Sequence, residues 1–103
     1  MLILPIKKKW FDMIKSGIKK EEYREIKPYW FTRFKNNLFC LCDENLIIRL
    51  GTGRVIFKNG YQKNAPKIMC GVEITTRKGN PEWGADPYKL YYVLKILSVE
   101  EIK

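Results

Sequence analysis

LILPIKKKWFDMIKSGIKKEEYREI, residues 2–26, is the stretch from which the rest of this chain is read. Leu2-Ile3-Leu4 is a short apolar run closed by Pro5, which predicts a brief buried strand. From Ile6 the apolar side chains fall at Ile6, Trp10, Met13 and Ile14, a helical stripe, while Lys7, Lys8, Lys9, Asp12 and Lys15 lie off it. Gly17 suits a helix C-terminal cap, where a positive φ carries no steric cost. Between Ile18 and Ile26 only Tyr23 is apolar, so the strand predicted there is made of charge: Lys19, Lys20, Glu21, Glu22, Arg24 and Glu25.

Pro28 fits the first turn of a second short helix carrying Tyr29, Trp30, Arg33 and Phe34. Beyond it the pattern turns to β-structure. Leu46–Leu50 and Arg54–Lys58 flank Gly51-Thr52-Gly53, read as a tight hairpin, and Asn59-Gly60 is a further turn. Lys67–Arg77 alternates, with Ile68, Cys70, Val72, Ile74 and Thr76 on one face. Residues 79–87 form a loop, and Tyr88–Ser98 is an apolar last strand. The sum is one α+β domain over residues 1–103, a small mixed β-barrel of about five to six strands with two short helices in its N-terminal half.

Composition narrows the function classes. The 103 residues hold 20 Lys and Arg against 11 Asp and Glu, a net charge of +9. The surplus sits in residues 1–27 and 54–78, whereas 79–103 is slightly acidic, so two basic stretches supply the field. Such a balance points to a polyanionic partner or to a lysine-rich solubilising surface. No apolar run reaches the roughly 18 residues of a membrane span, and a soluble cytoplasmic protein without a membrane role is expected. Cys40, Cys42 and Cys70 make no even disulfide framework and are one soft ligand short of a zinc site. The chain has no histidine, which removes Ser-His-Asp and Cys-His chemistry. Acid–base work would fall to Lys, Glu, Asp or Tyr, and neither a metal nor a cofactor is called for.

On an ideal strand Lys20, Glu22 and Arg24 share one face and Lys19, Glu21 and Tyr23 the other. A carboxylate between cations can orient an Arg fork toward a phosphate, a carboxylate or the edge of a base. The same residues can equally be a solvated edge strand whose charges discourage pairing. The pattern Ile6-Lys7-x-x-Trp10-x-x-x-Ile14-x-x-Gly17-x-Lys19-x-x-Glu22-x-Arg24 resembles the opening signature of the ASCH family. The Asn80–Pro87 loop ahead of a Tyr-rich strand is also similar to small stand-alone ASCH proteins.

That resemblance implies a PUA-like fold associated with RNA binding, and a cleft lined by Lys7, Lys19, Glu22 and Arg24. One branch of the family resembles an acetylcytidine amidohydrolase that uses a lysine, a threonine and a glutamate. Gly17, Lys19 and Arg24 match its pattern, but Glu22 stands where the threonine would be, so a hydroxyl nucleophile is lost. The implied catalytic set becomes Lys19, Glu22 and, by a loose correspondence, Glu82; ribonuclease activity is the other chemistry linked to similar proteins.

Single-stranded nucleic acid is held by basic grooves with aromatic platforms. Tyr29, Trp30 and Trp83 are the candidates here, Trp83 foremost because loops supply binding residues. Trp10, on the apolar stripe, is assigned to core or rim packing. The sequence thus carries three readings: a module binding RNA or a modified nucleotide through Lys7, Lys19, Glu22, Arg24, Trp30 and Trp83; a small hydrolase at the same cleft; and a domain whose basic face meets an acidic protein. Monomer and homodimer are both open.

Overall fold

In the computed structural model, which describes residues 1–43 and 45–102, six strands form one curled half-barrel sheet with two helices packed on it. The elements run β1 (Leu2–Ile6), α1 (Lys8–Lys15), β2 (Glu21–Glu25), α2 (Pro28–Asn37), β3 (Phe39–Cys42), β4 (Ile48–Asn59), β5 (Lys67–Lys78), a 3-10 turn (Pro81–Trp83) and β6 (Leu90–Ile102). The sheet order is β1-β4-β5-β6-β2. β1 and β3 share one edge of β4, β1 parallel along Val55–Asn59 and β3 antiparallel along Ile48–Thr52.

The core lies between the sheet and the helices. Leu2, Leu4 and Ile6 of β1, Phe11 and Ile14 of α1, Phe34 of α2 and the inward residues Ile68, Cys70, Val72 and Ile74 of β5 are all buried. Phe34 meets Tyr92 edge-on at 5.6 Å between ring centroids. Each large apolar side chain so enclosed contributes about 1.5–3 kcal/mol. Gly17, at φ +84°, ends α1 as its residue type demands, and Pro28 opens α2.

Several expectations are corrected. Pro5 does not close β1, which runs on to Ile6; β1 is an edge strand, where a missing N–H is tolerated. Gly51-Thr52-Gly53 is no hairpin but the middle of the twelve-residue β4. These glycines give room to neighbours: a Cβ on Gly51 would lie 2.5 Å from Ile74 Cγ2, and one on Gly53 2.6 Å from Leu38 Cδ2. The reversal into β4 comes earlier, where Asp43 N–H donates to Ile47 O (3.0 Å) and Asp43 Oδ1 accepts from Asn45 N–H. Thr76 Oγ1 bonds both Ile48 N–H and Ile48 O, and Tyr92 Oη donates to Leu46 O, which ties this turn to the far strands. β3 itself was not read from the sequence, and β6 starts and ends later than expected. Met13 is only half-buried; Phe11 fills the place on α1 assigned to it.

Among the described residues no helix is long and apolar enough to cross a membrane. No three metal-ligating side chains gather among them either. The three cysteines are free; burial pushes the Cys70 thiol up to about 12.

Candidate functional site

The two helices enter and leave β2 on the same side of the sheet, and a cleft of about 820 Å³ opens between them. That volume falls within the 300–1,000 Å³ usual for small-ligand sites. Its apolar back is Ile3, Pro5 and Ile6 of β1. Lys7, Lys8 and Trp10 come from the start of α1, and Tyr29, Trp30 and Arg33 from the first turns of α2. Positions 29, 30 and 33 project together because residues three and four apart share a helix face. Tyr61 closes the rim, carried there by the Asn59-Gly60 turn, whose Gly60 N–H donates to Ile6 O at 2.9 Å.

The floor is Glu22 and Arg24, side by side on β2. β2 is the last strand of the sheet, and these two side chains curl back on Tyr23 between them. Glu22 Oε1 accepts from Tyr23 N–H (3.0 Å), and Arg24 Nη1 donates to Tyr23 O (2.7 Å). The Tyr23 N–H and C=O are thereby satisfied from within the edge strand itself, which discourages edge pairing there. Arg24 lies 3.8 Å from Glu22 Oε1 and stacks its guanidinium 5.2 Å over the Trp30 ring. Burial lowers its pKa, against the pull of Glu22, though from so high a value that the charge is kept.

Lys19 and Glu22 do meet, by a route that strand parity does not offer. Lys19 precedes β2, and its backbone N–H still bonds back to Met13 O at the end of α1. From there its side chain runs under Glu22, 3.4 Å from Nζ to Oε1. No bulge is needed. Lys19 is 1% exposed and its ammonium is enclosed: Trp83 O accepts from it at 2.5 Å, the Trp10 ring lies 4.3 Å away and the Tyr23 ring 5.2 Å. Burial pulls its pKa below the ordinary lysine value, with Glu22 opposing.

The expected site residues therefore separate. Lys7, Glu22, Arg24 and Trp30 line the cleft as read from the sequence. Lys19 stands behind it as the counter-charge of Glu22. Trp83 gives its carbonyl, not its ring; the ring packs on the small cluster of Tyr23, Ala85 and Val93. Glu82 is exposed and absent from the cleft wall, its N–H donating to Asn80 Oδ1. Trp10 packs at the rim of the core, half-buried, with the Lys19 ammonium against its ring and a place in the cleft wall. Arg33 and Tyr61 were missed as site residues. The α2 spacing carried the signal for Arg33, which lies 5.3 Å from the Tyr29 ring and 5.9 Å from the Trp30 ring, whereas nothing local marks Tyr61.

The outward face of β2 carries a separate network. Glu21 is paired with Arg77 and accepts from Tyr23 Oη at 2.6 Å, and Tyr23 Oη in turn accepts from Asn80 N–H. This holds the 79–87 loop against β2 and so delivers the Trp83 carbonyl to Lys19.

Comparison with protein-family models, with curated proteins and with solved structures returns no match for this chain.

Proposed function

We propose that this chain is a PUA-like domain of the ASCH type that binds single-stranded RNA or a nucleotide in the cleft between α1 and α2. The fold reading rests on the 2–26 signature together with the order helix, charged strand, helix around a curled six-stranded sheet. The functional reading rests on one observation. Aromatic walls, a carboxylate–guanidinium floor and exposed cations converge in a single cleft. Tyr29 and Tyr61, the exposed aromatic rings on the cleft wall, offer surfaces for a base, and stacking of this kind is worth about 1–3 kcal/mol per base. Lys7 and Lys8 are exposed at the rim, where a phosphate would sit with Arg33. Glu22 at the floor repels an anion, so the charged end of a ligand belongs outside and its uncharged ring inside.

The hydrolase reading gains no such support. Lys19 is enclosed, Glu82 lies elsewhere, and Glu22 is the only carboxylate on the cleft wall among the described residues. The test is a two-dimensional NMR titration of labelled protein with a short single-stranded RNA. Shifts at Trp10, Glu22, Arg24, Trp30 and Arg33 that saturate together are the expected result. Binding confined to lysines away from the cleft, or no binding, would overturn the proposal, and cleavage of the RNA would put the hydrolase reading in its place.

A further inference from the structure

The polar atoms of the floor are unevenly used. All three contacts of Glu22 fall on Oε1, from Tyr23 N–H, Lys19 Nζ and Arg24 Nη1. Oε2 has no partner among the described residues. Arg24 commits Nη1 to Tyr23 O, which leaves Nε and Nη2 without partners among them. Of the described residues' side-chain atoms, Arg33 Nε alone is both sealed from solvent and unpartnered. Glu22 Oε2 and the free nitrogens of Arg24 are therefore reached by solvent, and both residues line the cleft. What the floor offers a ligand is one ionised oxygen that only accepts, next to a guanidinium edge that only donates.

A ring that satisfies both must carry donors beside acceptors along one edge. Each of the four bases does so to some degree, but to different extents. Cytosine and adenine offer one amino group beside one ring nitrogen, and uracil one imino group between carbonyls. Guanine offers two adjacent donors, the N2 amino group and N1–H, followed by two adjacent acceptors, O6 and N7. A carboxylate oxygen has lone pairs for both donors, and an Arg fork on O6 and N7 is the commonest specific arginine–base contact.

We infer that the cleft selects guanine, with Glu22 Oε2 on the N1–N2 edge, Arg24 on O6 and N7, and the phosphate toward Lys7, Lys8 and Arg33. This rests on the nucleotide-binding reading above and adds the base to it.

Isothermal titration of the wild-type chain with the 5′-monophosphates of guanosine, inosine, adenosine, cytidine and uridine tests it. The guanosine nucleotide should bind about tenfold more tightly than those of adenosine, cytidine and uridine, the scale of one good bidentate contact. Inosine monophosphate, which lacks only the N2 amino group, should fall between. Glu22→Gln should bring the guanosine preference down to about threefold or less, because an amide presents N–H where N1–H needs an acceptor. Equal binding of all five, or preference for another base, would overturn the guanine assignment and leave nucleotide binding standing. No binding of any nucleotide or of short RNA would remove both. The wild-type series decides the matter even if Glu22→Gln folds poorly.

Discussion

Lys19 shows how a charged residue becomes structural. Its ammonium has lost water entirely and recovered a carboxylate, a carbonyl and the faces of two aromatic rings. A buried charge is tolerated only when so compensated. Its consequence reaches the cleft all the same, since it occupies Glu22 Oε1 and leaves Oε2 on the cleft side. Glu21, its neighbour on the other face, behaves differently. Burial pushes its pKa up, but the hydrogen bonds from Arg77 and Tyr23 outweigh this, and the folded-state value lies below 4.5. The folded state thus releases this proton more readily than the unfolded chain. The resulting stability is complete above about pH 4.5 and is lost as pH falls through the folded-state value. Glu21→Gln should therefore destabilise the protein at neutral pH and flatten that part of the acid limb. Urea unfolding of both proteins across the acid range checks it, and parallel curves would show that the pair contributes nothing.

At the level of elements, β4 carries the sharpest lesson. Gly51-Thr52-Gly53 has the composition of a turn, yet it lies where β3, β4 and β5 cross most closely. The glycines are there because Ile74, Cys40 and Leu38 take the space a side chain would fill. Gly51→Ala would put a methyl group 2.5 Å from Ile74 Cγ2, 2.9 Å from Cys40 Sγ and 3.0 Å from the Phe39 carbonyl. Overpacking of this sort costs about 1–3 kcal/mol, and denaturant unfolding should show a loss of that size. A neutral substitution would mean that β3 moves aside freely. The same logic reaches the site at Gly84. With φ +94° and Trp10 Cζ2 only 3.0 Å from where a Cβ would stand, it lets the 3-10 turn lie directly on the Trp10 ring. The backbone that supplies the Trp83 carbonyl thus also fixes one wall of the cleft.

Over the whole molecule, the net charge of +9 is not gathered at one spot. Arg77 is paired with Glu21, Lys15 with Glu101 and Lys8 with Asp12, and Lys7, Lys8 and Arg33 line the cleft. Three phosphate contacts by single-stranded RNA release counterions with a log–log salt slope of about −2, near −0.7 for each contact. Fluorescence anisotropy of a labelled RNA across a salt series should give that slope. Replacing Lys7 and Lys8 together with alanine should reduce it to about −0.7, the value for Arg33 alone. A slope unchanged by that double substitution would place the phosphates somewhere other than the cleft.

Much of this was determined by sequence alone. The alternation of β5, the Gly17 cap, the Pro28 start of α2 and the charged content of β2 follow from local rules, because backbone sterics and side-chain periodicity act within a few residues. The resemblance of residues 2–26 to the ASCH signature pointed to Lys7, Glu22 and Arg24, and the aromatic content of α2 to Trp30; all four line the cleft. Only the tertiary structure decided the rest. It turned Lys19 from a ligand contact into an enclosed counter-charge, replaced the Trp83 ring with its carbonyl, and brought Arg33 and Tyr61 to the rim. Each depends on which strands lie beside β2 and β4. The contact of Lys19 with the Trp83 carbonyl joins residues 64 positions apart. Local sequence carries no distance of that kind.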